Sequence, residues 1–257
     1  MEYTSYHHNL TSDTARLAGF YEAITKHSKG TVFDLGTGSG ILSCWAAPYA
    51  DKVIALELNK STAKIAEKNL KNLENVEVIN SDASTFSFKC KADVIICEML
   101  DTALIDEEQI PVLNSAIKYL KEDGLIIPYG IINCLEPVEG EIESICYEEN
   151  GSPKNLVLGK PVFYSRIIFG SNVEKRFNQR FKIKINKSGK ISGVKITTFT
   201  LITENIICGP TPMLNPPLII PVEKVNVNEE ELLEVNLSYE MGGGLESVRA
   251  RINKVHS

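Results

Sequence analysis

Three glycines at alternate positions, Gly36, Gly38 and Gly40, follow an apolar run that carries an acid, Asp34, two residues before the first of them. Glycine lets a backbone turn sharply and approach a ligand with no Cβ in the way. The run at 31–35 reads as a strand and the pattern from Ile41 as a helix, so the loop between them offers helix N-terminal N–H groups to an anionic group. The spacing is G-x-G-x-G, which differs from the G-x-G-x-x-G of dinucleotide-binding loops. Another acid, Glu57, ends the next apolar run, where two carboxylate oxygens can accept from both hydroxyls of an adenosine ribose. Asp82 follows the third run, and Glu98 comes directly after the fourth.

These side chains need elements to position them. Leu17, Phe20 and Ile24 form one amphipathic face, so a helix is expected there with Thr11 or Ser12 as its cap. Strands are expected at 31–35, 52–57, 76–79, 92–97 and 125–128. Helices fall at about 40–49 and 60–72, and from the acids at 106–108 to about Leu120. Lys121-Glu122-Asp123-Gly124 reads as the turn into the last strand. Strands alternating with helices indicate a doubly wound parallel sheet. Its ligand site lies at the strand C-terminal ends, which carry the glycine loop, Glu57, Asp82 and Glu98.

Beyond Pro128 helical periodicity fades. Runs rich in β-formers occur at 131–134, 162–169, 181–185, 191–201, 232–239 and 248–252. Asn150-Gly151-Ser152-Pro153, Ser188-Gly189, Gly209-Pro210 and Gly242-Gly243-Gly244 punctuate them as turns. The expected architecture is α/β followed by β: an N-terminal helix and a Rossmann-like domain over residues 1–128, then a β-barrel or sandwich over 129–257.

The chain of 257 residues has a net charge of -6, which argues against a generic nucleic-acid binder and suits a cationic substrate. Lys182, Lys184, Lys187 and Lys190 alternate as a solvated strand face would. Six cysteines lack C-x-x-C spacing and mostly sit in apolar runs, as buried free thiols do. Four histidines give no metal pattern, so no metal is expected. There is no signal peptide and no apolar run of membrane-spanning length, so the expected location is cytoplasmic.

The G-x-G-x-G loop led by Asp34 resembles motif I of the class I methyltransferases that use S-adenosylmethionine. That resemblance implies S-adenosylmethionine as the cofactor, with Asp34, Gly36, Gly38 and Gly40 near its amino-acid moiety. It also implies Glu57 on the ribose and Asp82 on the adenine amino group. Glu98-Met99-Leu100-Asp101-Thr102-Ala103-Leu104-Ile105, with Glu107 beyond it, resembles the double-glutamate loop of protein arginine methyltransferases, most of all that of their monomethylating branch. Tyr6, Asp13 and Arg16 are similar to the helix that closes over the cofactor in those enzymes, which implies Arg16 on the methionine carboxylate. Ser238-Tyr239 and Gly243-Gly244-Leu245-Glu246-Ser247 resemble the family's last barrel strands.

The resemblance implies Glu98 and Glu107 as the catalytic pair, an arginine-bearing protein substrate and a homodimer. A guanidinium stays protonated with its charge delocalised. Two carboxylates can hold it and concentrate electron density on one nitrogen, so that catalysis is mostly positioning and electrostatics. Glu107 reads equally as an acid at a helix start.

Three departures separate the chain from that family. The family's Thr-His-Trp loop aligns with Thr211-Pro212-Met213, which removes the histidine that would pair with Asp13 and a substrate-facing aromatic. The segment between the two glutamates lacks its usual aromatics, and 138–165 is too short and β-rich for a full dimerisation arm. The alternatives are therefore a methyltransferase acting on RNA or a small molecule, or a non-catalytic protein that binds S-adenosylmethionine. Asn215-Pro216-Pro217-Leu218 lies far from the fourth strand and reads as a turn.

Overall fold

The computed structural model describes residue 2, residues 13–148 and residues 155–254. Thr11, Ser12, Tyr6 and the turn at 150–153 lie outside them. The described helix α1 (Thr14–His27) is capped by Asp13, whose side chain accepts from the Arg16 N–H. It buries Phe20, Ala23 and Ile24.

Next come β1 (Thr31–Leu35), α2 (Ile41–Ala46), β2 (Lys52–Glu57) and α3 (Lys60–Leu70). Then follow β3 (Val76–Asn80), β4 (Ala92–Cys97), α4 (Gln109–Ala116) and β5 (Leu120–Ile127). The five strands form a parallel sheet of order β3-β2-β1-β4-β5. Helices cover both faces, so the strands read as continuous apolar runs. Phe33, Leu35, Ile54, Leu56, Ile95 and Cys97 serve one apolar cluster, and Val32, Val53, Val94 and Ile96 another with Phe20 and Ile24.

Strand order reverses between β1 and β4, which opens a crevice at their C-terminal ends. Leu35 pairs with Leu56 on one side and with Cys97 on the other. Gly36, Glu57 and Glu98 therefore leave the sheet from one rung.

From Gly130 the pairing is antiparallel. The larger sheet has β6 (Gly130–Glu139), β7 (Cys146–Tyr147), β8 (Leu156–Val157), β11 (Gly189–Leu201) and β13 (Leu218–Val227) in the order β7-β13-β11-β6-β8. β9 (Val162–Ile168) pairs with β6, and β12 (Ile207–Cys208) with β11. The smaller sheet is β10 (Arg176–Lys184), β14 (Leu232–Glu240) and β15 (Arg249–Lys254), in that order. Inward residues of both sheets join the cluster that reaches Leu104, Ile105 and Ile110 of the first half, so one core runs through both. The α/β-then-β architecture is the expected one.

Several local expectations are corrected. Strand β13 is not among the expected β runs; it begins at Leu218, directly after the Asn215-Pro216-Pro217 stretch that reads as a turn. Pro221 stands opposite Gly193, where the β11–β13 register shifts and the missing N–H is tolerated. Lys121-Glu122-Asp123-Gly124 is an irregularity inside β5, since Leu120 pairs with Ala92 and Leu125 with Val94. α4 stops at Ala116 and tightens into a 3-10 turn over Ile117–Tyr119. All six cysteines are free, but Cys90 and Cys146 are exposed, so burial is not general. Among the described residues no helix is long and apolar enough to cross a membrane.

Gly130 opens the antiparallel half at a tight spot: a Cβ there would lie 2.2 Å from the Ile167 carbonyl oxygen. Gly130→Ala should cost about 1–3 kcal/mol, read as a lowered Tm. An unchanged Tm would contradict the close β6–β9 approach.

Candidate active site

A cavity of about 330 Å³ opens at the C-terminal ends of the parallel strands. Arg16, Gly36, Gly38, Glu57, Asp82, Glu98 and Glu107 line it, bringing together seven of the nine residues singled out from sequence. Asp34 and Gly40 do not. Gly40 instead caps α2 with φ +87°, and a Cβ there would meet Leu70 of α3 at 2.7 Å, so it sets helix packing.

The glycine loop is tied to β2. The N–H groups of Gly36 and Thr37 both donate to the Leu56 carbonyl, at 2.9 and 2.8 Å. Glu57 accepts from the Gly38 N–H (3.0 Å) and the Asn59 N–H (2.8 Å), which fixes its carboxylate at the cavity wall. Asp82 accepts from the Ser84 N–H and hydroxyl, at 2.8 and 2.7 Å, in a local turn.

Asp34 is buried under the loop. One of its oxygens accepts from the Thr37 and Ser43 hydroxyls, each at 2.6 Å. The other, Oδ1, is buried and has no partner. Burial pushes the Asp34 carboxyl up to about 6, the two hydroxyl bonds pull it down, and the nearby Glu98 charge adds to the rise. An orphaned acid oxygen beside a glycine loop fits a cationic ligand group such as an ammonium.

Glu98 is held by Arg16 through both of its oxygens. Nε donates to Oε1 at 3.1 Å and Nη2 donates to Oε2. The two side chains are only 4% and 12% exposed. The resemblance had assigned Arg16 to the cofactor and Glu98 to the substrate, whereas here they hold each other. The helix that delivers Arg16 is tied to the β half, because Thr211 donates its hydroxyl to Asp13. Thr211, not the histidine that the resemblance implied, is thus the partner of Asp13, and Met213 of the same segment lines the cavity.

The loop from Glu98 to Glu107 is built around Asp101. Its buried carboxylate accepts from the N–H groups of Ile105 (3.1 Å), Asp106 (2.9 Å) and Glu107 (3.3 Å) and from the Tyr147 hydroxyl (3.3 Å). Ala103 and Leu104 take positive φ, +58° and +61°, a conformation that side chains disfavour. The surroundings hold it: the Ala103 N–H donates to Thr198, and the Leu104 and Ile105 carbonyls accept from Gly242 and Gly244. Gln109 clamps the other end, donating to the Cys97 carbonyl and accepting from the Met99 N–H.

Burial raises Asp101 to about 7. Glu107 is exposed as a residue, but its carboxyl is partly enclosed at the cavity mouth. That desolvation, then the Asp106, Glu98 and Glu108 charges, raises its pKa. Glu107 precedes α4, whose cap is Glu108, so the alternative of a helix-start acid and a site acid are compatible.

Among the described residues five carboxylates and one guanidinium line the cavity. Such a wall selects cationic ligands. Sequence reasoning missed Asp101 as the loop's organiser, although it stood between the two glutamates. It also missed Thr211, which a search for histidine passes over, and the exposed Leu58 at the cavity mouth, which carries no sequence signal.

Residues 8–144 match the family described as ribosomal protein L11 methyltransferase (PrmA). An uncharacterized protein of Methanothermobacter thermautotrophicus is 49% identical over 249 residues, 97% of this chain and 98% of that one. Protein arginine N-methyltransferase PRMT10 of Arabidopsis thaliana is 34% identical over 144 residues, 52% of this chain and 37% of that protein. The structure of the Trypanosoma brucei PRMT1 enzyme–prozyme heterotetrameric complex with AdoHcy superimposes with a TM-score of 0.79 at 15% identity, covering 97% of this chain and 96% of that one. That is a likeness of fold across both halves.

Because folding raises the Asp34 pKa from 3.8 to about 6, its ionised form opposes folding. The penalty is fully present above about pH 6 and fades as pH falls toward the unfolded value near 4. Asp34→Asn should therefore be more stable than the parent by about 2–3 kcal/mol at neutral pH, with the gain vanishing near pH 4. Denaturant unfolding across that range tests this, and a gain independent of pH would contradict the buried ionised carboxylate.

Proposed function

We propose, for a chain that belongs to the ribosomal protein L11 methyltransferase (PrmA) family, that it transfers the methyl group of S-adenosylmethionine to a guanidinium nitrogen of an arginine in a protein. The protein is a methyltransferase dependent on S-adenosylmethionine, with a Rossmann-like half and a barrel-like half of the protein arginine methyltransferase fold. The family match spans the whole parallel sheet and only the start of the antiparallel half, so it bears chiefly on the cofactor side. On this reading residues 1–128 bind the cofactor and 129–257 serve the substrate.

One observation carries arginine as the acceptor: Glu98 already grips a guanidinium with both oxygens inside the cavity, that of Arg16. A substrate guanidinium offers the same planar fork. The acid-lined wall favours its charge, and Glu107 supplies a second carboxylate at the mouth.

S-adenosylmethionine supplies an electrophilic methyl group on a sulfonium. Arg16 would face its carboxylate, Glu57 its ribose hydroxyls and Asp82 its adenine amino group, with Asp34 beneath the loop near its amino-acid moiety, while the turns at Gly36 and Gly38 keep side chains out of its way. Glu98 and Glu107 hold the acceptor guanidinium and steer electron density to the nitrogen that attacks. The raised pKa of Glu107 suits its carboxylate to receive the proton that this nitrogen gives up after methylation. One fork admits one guanidinium, so Arg16 exchanges Glu98 for the cofactor carboxylate before the substrate is seated.

Labelled S-adenosylmethionine should place its methyl on arginine in Arg-Gly-rich peptides offered beside ribosomal protein L11, RNA and small amines. Glu98→Gln should keep cofactor binding within a few-fold and lose on the order of a hundredfold or more in transfer. Label on another acceptor with the arginine peptides untouched, or undiminished transfer by Glu98→Gln, would overturn the arginine reading.

A further inference from the structure

The outer face of the sheet β10-β14-β15 concentrates positive charge. Along these strands alternate residues point into the core, as Phe177, Ile183, Val235, Leu237 and Tyr239 do. The others point outward, and they include Arg176, Arg180, Lys182, Lys184, Arg249 and Arg251. Four of the chain's six arginines lie on this one face. Its carboxylates are Glu234 and Glu240, and Glu230 beside it pairs with Lys184, so among the described residues six cations meet three acids in a protein whose net charge is -6.

The register arranges these charges. Arg180 pairs with Asn236, which pairs with Arg251. In the next rung Asn178 pairs with Ser238, which pairs with Arg249. Strand spacing puts Arg180 and Arg251 about 10 Å apart at the backbone, and the strand rise puts Arg249 and Arg251 about 7 Å apart. Glu234 reaches Arg180 only loosely, at 3.9 Å. Arg249 is held in place by donating to the Glu246 and Val248 carbonyls, at 2.6 and 2.7 Å.

We propose that this face binds the phosphate backbone of folded, double-helical RNA. Guanidinium groups match phosphate oxygens in bidentate geometry, and a spread of them neutralises successive phosphates. A protein partner would need apolar or aromatic anchors, and among the described residues of the face the one exposed large apolar side chain is Leu232, at its edge. The face of a sheet sends no helix or ribbon into a DNA major groove. It does fit the wide, shallow minor groove of A-form RNA, where Asn178, Asn236 and Ser238 can bond 2′-hydroxyls between the arginines. The binding is independent of which acceptor is methylated.

Fluorescence anisotropy with a labelled RNA duplex of about 20 base pairs tests this. The duplex should bind at low salt, and affinity should fall on the order of a hundredfold between about 50 and 200 mM salt if four phosphates are neutralised. Arg180→Glu/Arg251→Glu should bind at least about tenfold more weakly, with Arg180→Ala/Arg251→Ala as the milder variant should the first not fold. Lys64→Glu/Lys71→Glu on and beside α3 changes net charge equally and should leave RNA affinity within about twofold. Equal weakening by both pairs, duplex DNA or poly-glutamate binding as tightly as RNA, or no RNA binding at low salt would overturn the proposal.

Discussion

A guanidinium held by both oxygens of one carboxylate, Arg16 on Glu98, is the contact on which the rest of the site depends. It joins helix α1 to the end of β4, and through Asp13 and Thr211 it ties both to the antiparallel half. A buried ion pair stabilises a fold only weakly, because desolvation opposes the attraction. Its consequence is geometric. It closes one wall of a cavity whose other charges among the described residues are negative, and it sets Glu98 in the orientation a guanidinium requires.

The remaining acids are placed with similar tension. Asp34 is kept ionisable in a buried position with one oxygen unpartnered. The loop between Glu98 and Glu107 carries two residues in left-handed conformation, retained because Asp101, Thr198, Gly242 and Gly244 bond its backbone from several directions. Unfavourable local terms of this kind gather where a site is preorganised and are compensated by the surrounding packing. The antiparallel half therefore does more than flank the cavity, since its strands hold the loop that presents Glu107.

Much of the first half was legible in the chain. β1, β2 and β4 end where their apolar runs end, and the acids that follow come out of the sheet together because strand register leaves no other choice. The antiparallel half was less legible. The prolines before and within β13 concealed a ten-residue strand, because a register shift absorbs the missing N–H of Pro221. Thr211 holds Asp13 with a hydroxyl where the resemblance implied an imidazole, and a contact across 198 positions does not show in residue identity. The mutual hold of Arg16 and Glu98 spans 82 positions, and the arginines of β10 and β15 meet only once β14 lies between them. Net charge averages over just those separations.

On the proposed function Glu98 is a guanidinium receptor, filled by Arg16 until cofactor and substrate arrive. A crystal structure with S-adenosylhomocysteine and an arginine-bearing peptide tests it most directly. The peptide guanidinium should lie on both oxygens of Glu98, with Arg16 turned to the carboxylate of the cofactor product. Arg16 still seated on Glu98, with the peptide arginine bound elsewhere, would contradict it.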